Sequence, residues 1–208
     1  MKLYTYFRSS AAYRVRIALN LKGLPYEAVP IHLLKKEQNA PDYLAVNPQG
    51  RVPSLDLDGT VLIQSPAILE YLEEIHPEPP LLPSDPVGRA RVRTICALVA
   101  CDIHPLNNIG VLRYIKHAFG QEQAAIDDWY RHWIVEGFTA LEQLIESGPF
   151  AFGPTPTLAD IYLVPQVYNA VRLRVPMESY PKIAAADRAC SDLDAFKAAA
   201  PEAQADAA

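Results

Sequence analysis

Arg8, Ser9 and Ser10 place a guanidinium and two hydroxyls side by side where the strand-like run "KLYTY" (Lys2 to Tyr6) gives way to the helix-patterned "AAYRVRIALNLKG". A helix that begins there leaves its first N–H groups unpaired and presents the positive end of its dipole, so a neighbouring hydroxyl can help to hold an anion. The same serines can serve as a plain N-cap. Gln64-Ser65-Pro66 repeats the pattern at a second helix start, with an amide, a hydroxyl and unpaired N–H groups suited to a carboxylate. A third cluster lies in "CALVACDIHPLNNIGVLRYI", where Asp102 falls on the apolar stripe of Ile95, Val99, Leu106 and Ile109, and His104 and Asn108 share a face at i, i+4 around Pro105.

The elements that carry these groups are legible from pattern. "KLYTY" alternates as a strand, the following helix ends at Lys22-Gly23, and "YEAVPI" (Tyr26 to Ile31) supplies a second strand. Val52 to Leu57 and Val61 to Ile63 flank Asp58-Gly59, a strong hairpin signal. Ser65 as N-cap with Pro66 at N1 opens a helix through Ile68, Leu69, Leu72 and Ile75 that stops at His76-Pro77. The first eighty residues read βαβ then ββα. After the proline-rich joint "HPEPPLLPSDP", helical patterns take over from about Val87. In that half, Thr157 and Asp160 form a capping-box-like opening to the apolar helix "TLADIYLVPQVYNAV", which is expected at the centre of a bundle. The expectation is an α+β chain with an N-terminal domain over 1–80 and an all-α C-terminal domain over 87–208, whose tail "KAAAPEAQADAA" frays.

Composition narrows the function classes. Of the 208 residues 50% are hydrophobic, enough for a real core, and the net charge of −5 without a long basic run gives no electrostatic footprint for nucleic acid or a membrane surface. The first residues lack a signal-peptide stretch and no window is expected to span a membrane, so a soluble, cytoplasmic protein is expected. Cys96, Cys101 and Cys190 are odd in number and lack metal-ligand spacing, which reads as reduced core thiols.

A βαβ-ββα domain followed by a helical one resembles the glutathione transferase architecture, with its thioredoxin-like N-terminal domain. "SSAAYRVRIALNLKG", "NPQGRVPSL", "QSPAILEYLEE", "CDIHPLNN" and "PTLADIYLVPQVYNA", in that order, resemble the zeta class from Lys2 to about Phe196. That class carries out glutathione-dependent cis-trans isomerisation of maleyl compounds.

The resemblance gives the polar clusters roles. A thiol with pKa about 8.5 is only slightly ionised at neutral pH, and lowering it by about two units takes about 2.7 kcal/mol. A charge-assisted hydrogen bond of about 1.5–3 kcal/mol and a helix N-terminus of up to about 2 kcal/mol supply that. Ser9 and Ser10 stand in place for both, and the resemblance favours Ser10 at the sulfur. Ala11 departs from the Ser-Ser-Cys pattern of the class, which removes a protein thiol from the site without touching chemistry that uses the sulfur of glutathione.

The resemblance further implies a cis Val52-Pro53 bond pairing with the cysteinyl unit. It implies Gln64 and Ser65 at the γ-glutamyl carboxylate, and Gln38 and Gln49 as further glutathione contacts. His104 and Asn108 line the active site, and Asp102 reaches the glutathione amino group across a homodimer interface. Arg8 and Arg172 hold substrate carboxylates, because guanidinium forks suit them. Arg14, Arg16 and Arg174 are expected at the surface or in salt bridges. Thiolate addition to the cis double bond, rotation and expulsion of the thiolate then give the trans product with no metal. A small maleyl dicarboxylate is the expected partner, maleylacetoacetate first. Maleylpyruvate is the alternative, favoured by the C-terminal "SDLDAFKAAAPEAQADAA" and disfavoured by Gly110, where a compared enzyme has arginine. A generalist transferase or peroxidase, and a non-catalytic binding module, are the readings from other classes.

Overall fold

The alternating N-terminal run forms β1 (Lys2–Thr5), and the chain turns into α1 (Ser10–Leu21) before β2 (Glu27–Pro30). A short helix, α2 (Pro41–Val46), precedes β3 (Ser54–Leu57), β4 (Thr60–Ile63) and α3 (Ser65–Ile75). In this computed structural model, which describes residues 1–146 and 148–207, these elements build one mixed sheet in the order β2-β1-β3-β4. β1 runs parallel to β2 and antiparallel to β3, with Leu3 opposite both Ala28 and Leu55. Leu3 and Leu55 are fully buried, as are Ile68 and Leu69 of α3. The hairpin turns at Asp58 (φ 53°) and Gly59 (φ 104°), and Gly59 N–H donates to Asp56 Oδ1 at 2.7 Å. This is the thioredoxin-like βαβ-ββα arrangement of the glutathione transferase fold.

The chain divides into two compact units, and the division differs from a cut near residue 87. One unit is Met1–Leu81 joined by the chain from Ser191 onward, and the other is Leu82–Cys190. α9 (Asp194–Ala199) lies on α1, with Phe196 and Ala199 buried. As far as Ala207 the tail expected to fray is folded, Ala208 lying outside the described residues: Pro201 is buried in a 3-10 turn, and Gln204 Nε2 donates to the carbonyls of Ala198 and Ala200, both at 2.9 Å. Small residues carry little periodic signal, yet they let α9 sit close on α1.

The second unit contains α4 (Pro86–Ala97), α5 (Ile109–Ala118), α6 (Gln123–Leu144), α7 (Leu158–Arg172) and α8 (Pro181–Ser191). α7 is buried along nearly its whole length, and its capping box is complete. The Asp160 carboxylate, fully buried, accepts from Ala151 N–H at 2.7 Å and Thr157 N–H at 2.8 Å. Burial pushes its pKa up, and these bonds oppose the shift. Cys190, beside it, is a buried thiol whose pKa is raised by burial first.

Between α4 and α5 the helix is not a simple kinked α-helix. Residues 98–103 form a π-helical turn, closed by His104 N–H to Val99 C=O at 2.9 Å, and 105–107 a 3-10 turn. A π turn takes an extra residue and rotates the following side chains by about 100°. Ile103 and Asn107 therefore face the core, whereas Cys101 and Asp102 are exposed. The expectations of a buried Asp102 and a core Cys101 are corrected on this ground. By length and composition the run 86–118 meets the measure for crossing a bilayer, contrary to expectation, because α4 continues through the π turn. It packs against α6 and α7 on one side.

Candidate active site

Ser9 is the N-cap of α1: its Oγ accepts from Ala12 N–H at 3.2 Å, and its own N–H donates to Tyr6 C=O at 2.9 Å. Ser10, the first helical residue, is 8% exposed. The first turn contains no acid, so nothing there competes with a bound anion for the helix dipole. Arg8 is exposed, with its guanidinium 5.4 Å from the centre of the Phe7 ring.

Arg14 and Arg16, expected at the surface or in salt bridges, are buried at 1% and 0% exposure. Residues two apart on a helix point about 200° from one another, so two different neighbours cover them. Arg14 Nη1 lies 3.4 Å from Ser65 Oγ of α3. Arg16 reaches the other way and fastens the β1–α1 loop: Nη1 donates to Thr5 Oγ1 at 3.0 Å, Nη2 to Phe7 C=O at 3.0 Å, and Nε to Ala199 C=O at 2.9 Å. Burial lowers its pKa to about 10, which leaves it charged at neutral pH. The available signal was two charges embedded in an apolar helix with no acid at i±3 or i±4.

The start of α3 differs by one residue from expectation. Gln64 is the cap, without a side-chain cap bond, and Ser65 and Pro66 are the first two helical residues. Gln64 adopts φ 71°, a conformation costly for a side-chain-bearing residue. Its Nε2 donates to Gln49 Oε1 at 2.6 Å, which brings these two predicted glutathione contacts together. Ser65, 3% exposed, sits beside them.

Val52-Pro53 is cis, as the resemblance implies. The loop that presents it is anchored from below: Tyr43 Oη donates to Arg51 C=O at 2.6 Å and lies 3.0 Å from Ser54 Oγ, while Asn47 Nδ2 donates to the same Arg51 carbonyl at 2.7 Å. Burial pushes the Tyr43 hydroxyl pKa up, keeping it a donor. Gly50, at φ 61°, lets the loop close against Gln38, whose backbone oxygen would stand 3.1 Å from an added Cβ. Gln38 itself is buried, and its Oε1 has no hydrogen-bond partner among the described residues.

In the second unit, Asn108 is not on a helical face with His104. It is extended and caps α5, its Oδ1 accepting from Gly110 N–H at 2.9 Å and its Nδ2 donating to Pro105 C=O at 2.6 Å. His104 is half-buried where the π turn meets the 3-10 turn. Arg172, in the last turn of α7, is exposed with its guanidinium 5.6 Å from the centre of the Tyr130 ring. Burial pushes the Tyr130 hydroxyl pKa up, and Arg172 opposes the shift.

The donors at α1 and α3 fit glutathione: a hydroxyl and a helix N-terminus for the sulfur, and an amide pair, a hydroxyl and a buried guanidinium for a carboxylate. The profile of the glutathione S-transferase N-terminal domain matches residues 3–80, and that of the C-terminal domain matches 123–196. The chain is 53% identical to a maleylpyruvate isomerase of Ralstonia sp, over the full length of both. It is 50% identical to a maleylacetoacetate isomerase of Pseudomonas aeruginosa, covering 99% of this chain and 98% of that one. A holo maleylpyruvate isomerase structure, described as a bacterial zeta-class glutathione S-transferase, superposes over 100% of both chains with a TM-score of 0.98 and 53% identity. A maleylacetoacetate isomerase from Anaeromyxobacter dehalogenans, solved with glutathione in its active site, gives a TM-score of 0.90 at 46% identity, covering 100% of this chain and 97% of that one.

Proposed function

The chain belongs to the glutathione S-transferase family, and we propose that it isomerises maleylacetoacetate to fumarylacetoacetate with glutathione as cofactor. It is a glutathione-dependent enzyme of the zeta class. Bound glutathione supplies a nucleophilic thiolate that adds to the activated cis double bond and leaves once rotation has occurred.

The residues of the chain do the rest. Ser10 holds the sulfur in its ionised form by donating to it at the α1 N-terminus, while Ser9 keeps the helix capped. Gln64 and Ser65, with Arg14 behind Ser65, take the γ-glutamyl carboxylate; Val52-Pro53, Gln38 and Gln49 take the rest of the tripeptide. Arg8 and Arg172 are each suited to a substrate carboxylate, and each guanidinium is steadied on an aromatic ring. His104 and Asn108 are assigned to the substrate side. The observation that carries the reading is the acid-free N-terminus of α1 with Ser9 and Ser10 upon it.

A second reading, maleylpyruvate as substrate, is favoured by the 53% identity to the Ralstonia enzyme. Following both isomerisations by ultraviolet absorbance, with and without glutathione, decides between them. Turnover of maleylacetoacetate with the higher kcat/KM, abolished without glutathione, is expected; a faster maleylpyruvate reaction exchanges the substrate. Faster turnover of chlorinated or peroxide substrates would make the protein a generalist transferase, and no turnover at all would leave a binding module.

We place the protein in the cytoplasm as a homodimer. The apolar window within 86–118 is only 28% buried, which leaves a face for a second copy, and the exposure of Asp102 within this run supports assigning it to the amino group of glutathione on the partner. Sedimentation as a monomer at micromolar concentration would count against this.

A further inference from the structure

We infer that the C-terminal segment is a positioning element of the active site, in which Asp206 and Arg16 together fix the two peptide units on either side of Phe7 and so the loop that carries Arg8, Ser9 and Ser10. Phe7 is held at both ends of its backbone: its N–H donates to Asp206 Oδ2 at 2.9 Å, and its C=O accepts from Arg16 Nη2 at 3.0 Å. The acceptor and donor come from segments 190 residues apart in the chain, and neither lies in the loop itself. The two bonds fall on the two peptide units that flank the Phe7 Cα, so the backbone is restrained on both sides of Phe7, two residues before Ser9. The Arg8 guanidinium lies on the ring of the residue so restrained.

The segment is built to deliver Asp206. Arg16 Nε donates to Ala199 C=O, and Asn20 Nδ2 to Ala195 C=O at 3.0 Å, which lays α9 along α1. Gln204 then bridges two carbonyls of the preceding turn, and Ala207 N–H donates to Gln204 C=O at 3.0 Å, closing the chain around Asp206. Asp206 also places its negative charge near the buried Arg16 guanidinium, which donates to neutral oxygens of Thr5, Tyr6, Phe7 and Ala199. A carboxylate thus orders the loop in two ways, by its bond to Phe7 and by its field on Arg16.

This inference rests on the glutathione-enzyme reading, so its test needs one measurement that involves no ligand. In Asp206→Ala, amide exchange of residues 7–10 is expected to quicken by about tenfold, because the acceptor of Phe7 N–H is gone. The pKa of bound glutathione, titrated by thiolate absorbance, is expected to rise, and kcat/KM for glutathione to fall by about tenfold through misplacement of the serine. Asp206→Asn, which keeps an acceptor and loses the charge, is expected to recover most of the exchange protection. A urea midpoint close to that of the unsubstituted protein separates positioning from general stability. Unchanged exchange at residues 7–10 in Asp206→Ala overturns the inference whether or not glutathione binds; faster exchange with an unchanged thiol pKa and kcat/KM overturns the link to the active site. Failure of the unsubstituted protein to bind glutathione would instead overturn the functional reading.

Discussion

Lys22 Nζ lies 2.8 Å from Glu73 Oε2 in the interior of the first unit and donates as well to the carbonyls of His76 and Pro79, at 2.6 and 3.0 Å. Glu73 in turn accepts from Leu81 N–H at 3.0 Å. One buried ion pair thus joins the end of α1 to α3 and to the chain leaving it. Removing one partner strands the other charge, so Glu73→Ala is expected to cost about 3–5 kcal/mol in urea unfolding. Replacing both, as Lys22→Met with Glu73→Leu, is expected to cost less than either single change. A single change within about 0.5 kcal/mol of the unsubstituted protein would show the pair to be solvated.

The two serines separate by readout. Ser9→Ala removes a cap and is expected to cost about 1 kcal/mol of stability. Ser10→Ala is expected to raise the pKa of bound glutathione by about one to two units, with a matching loss of kcat at neutral pH. The opposite partition, in thiolate titrations of both variants, would hand the sulfur to Ser9.

Arg14 supplies the charge beneath the start of α3. In Arg14→Met the Kd for glutathione is expected to rise by about tenfold or more, measured by calorimetry. Equal affinity would remove Arg14 from carboxylate recognition.

Asp187 gives the second unit a pH signature. Burial raises its pKa from 3.8 to about 6, opposed by Arg188. Between those values the folded state holds a proton that the unfolded state has released, so stability falls as pH rises through this window. Asp187→Asn is expected to flatten that slope and to raise stability at pH 7 by about 1–3 kcal/mol, with no gain below about pH 3.8. Urea midpoints of both proteins from pH 3.5 to 7 check it, and parallel curves would refute it.

Gly137 marks a close approach of α6 to the π turn, where an added Cβ would collide with Ile103 Cδ1. Gly137→Ala, favourable for a helix in isolation, is expected instead to destabilise by about 1–3 kcal/mol. A gain in the thermal midpoint would show that Ile103 can move aside.

Much of this architecture was legible because its causes are local. Asp58-Gly59 announces a turn that needs positive φ, Lys22-Gly23 a helix end, and Thr157 with Asp160 a helix start, since each satisfies backbone groups within a few residues. Ser9 and Ser10, as well as Gln64 and Ser65, were legible as lying at helix starts for the same reason. The one-residue shift of the α3 cap onto Gln64 was not, because a positive φ at glutamine has no local advantage to reveal it.

What the sequence determined alone is the order of elements, the polar starts of α1 and α3, and the family to which their spacing belongs. Tertiary structure decided the rest. Arg14 and Arg16 look alike in the chain, yet one serves α3 and the other the β1–α1 loop, because burial depends on which elements cover a helix and not on its own residues. Asp102 lies on an apolar stripe in sequence but on an exposed face in space, because it falls within a π turn, which breaks the phase of the α-helical pattern. The tail carries no period to read, and only its packing along α1 brings Asp206 to Phe7. Local bonding rules act over a few residues and leave their mark in the sequence; contacts between distant segments are written by the shape of the folded chain.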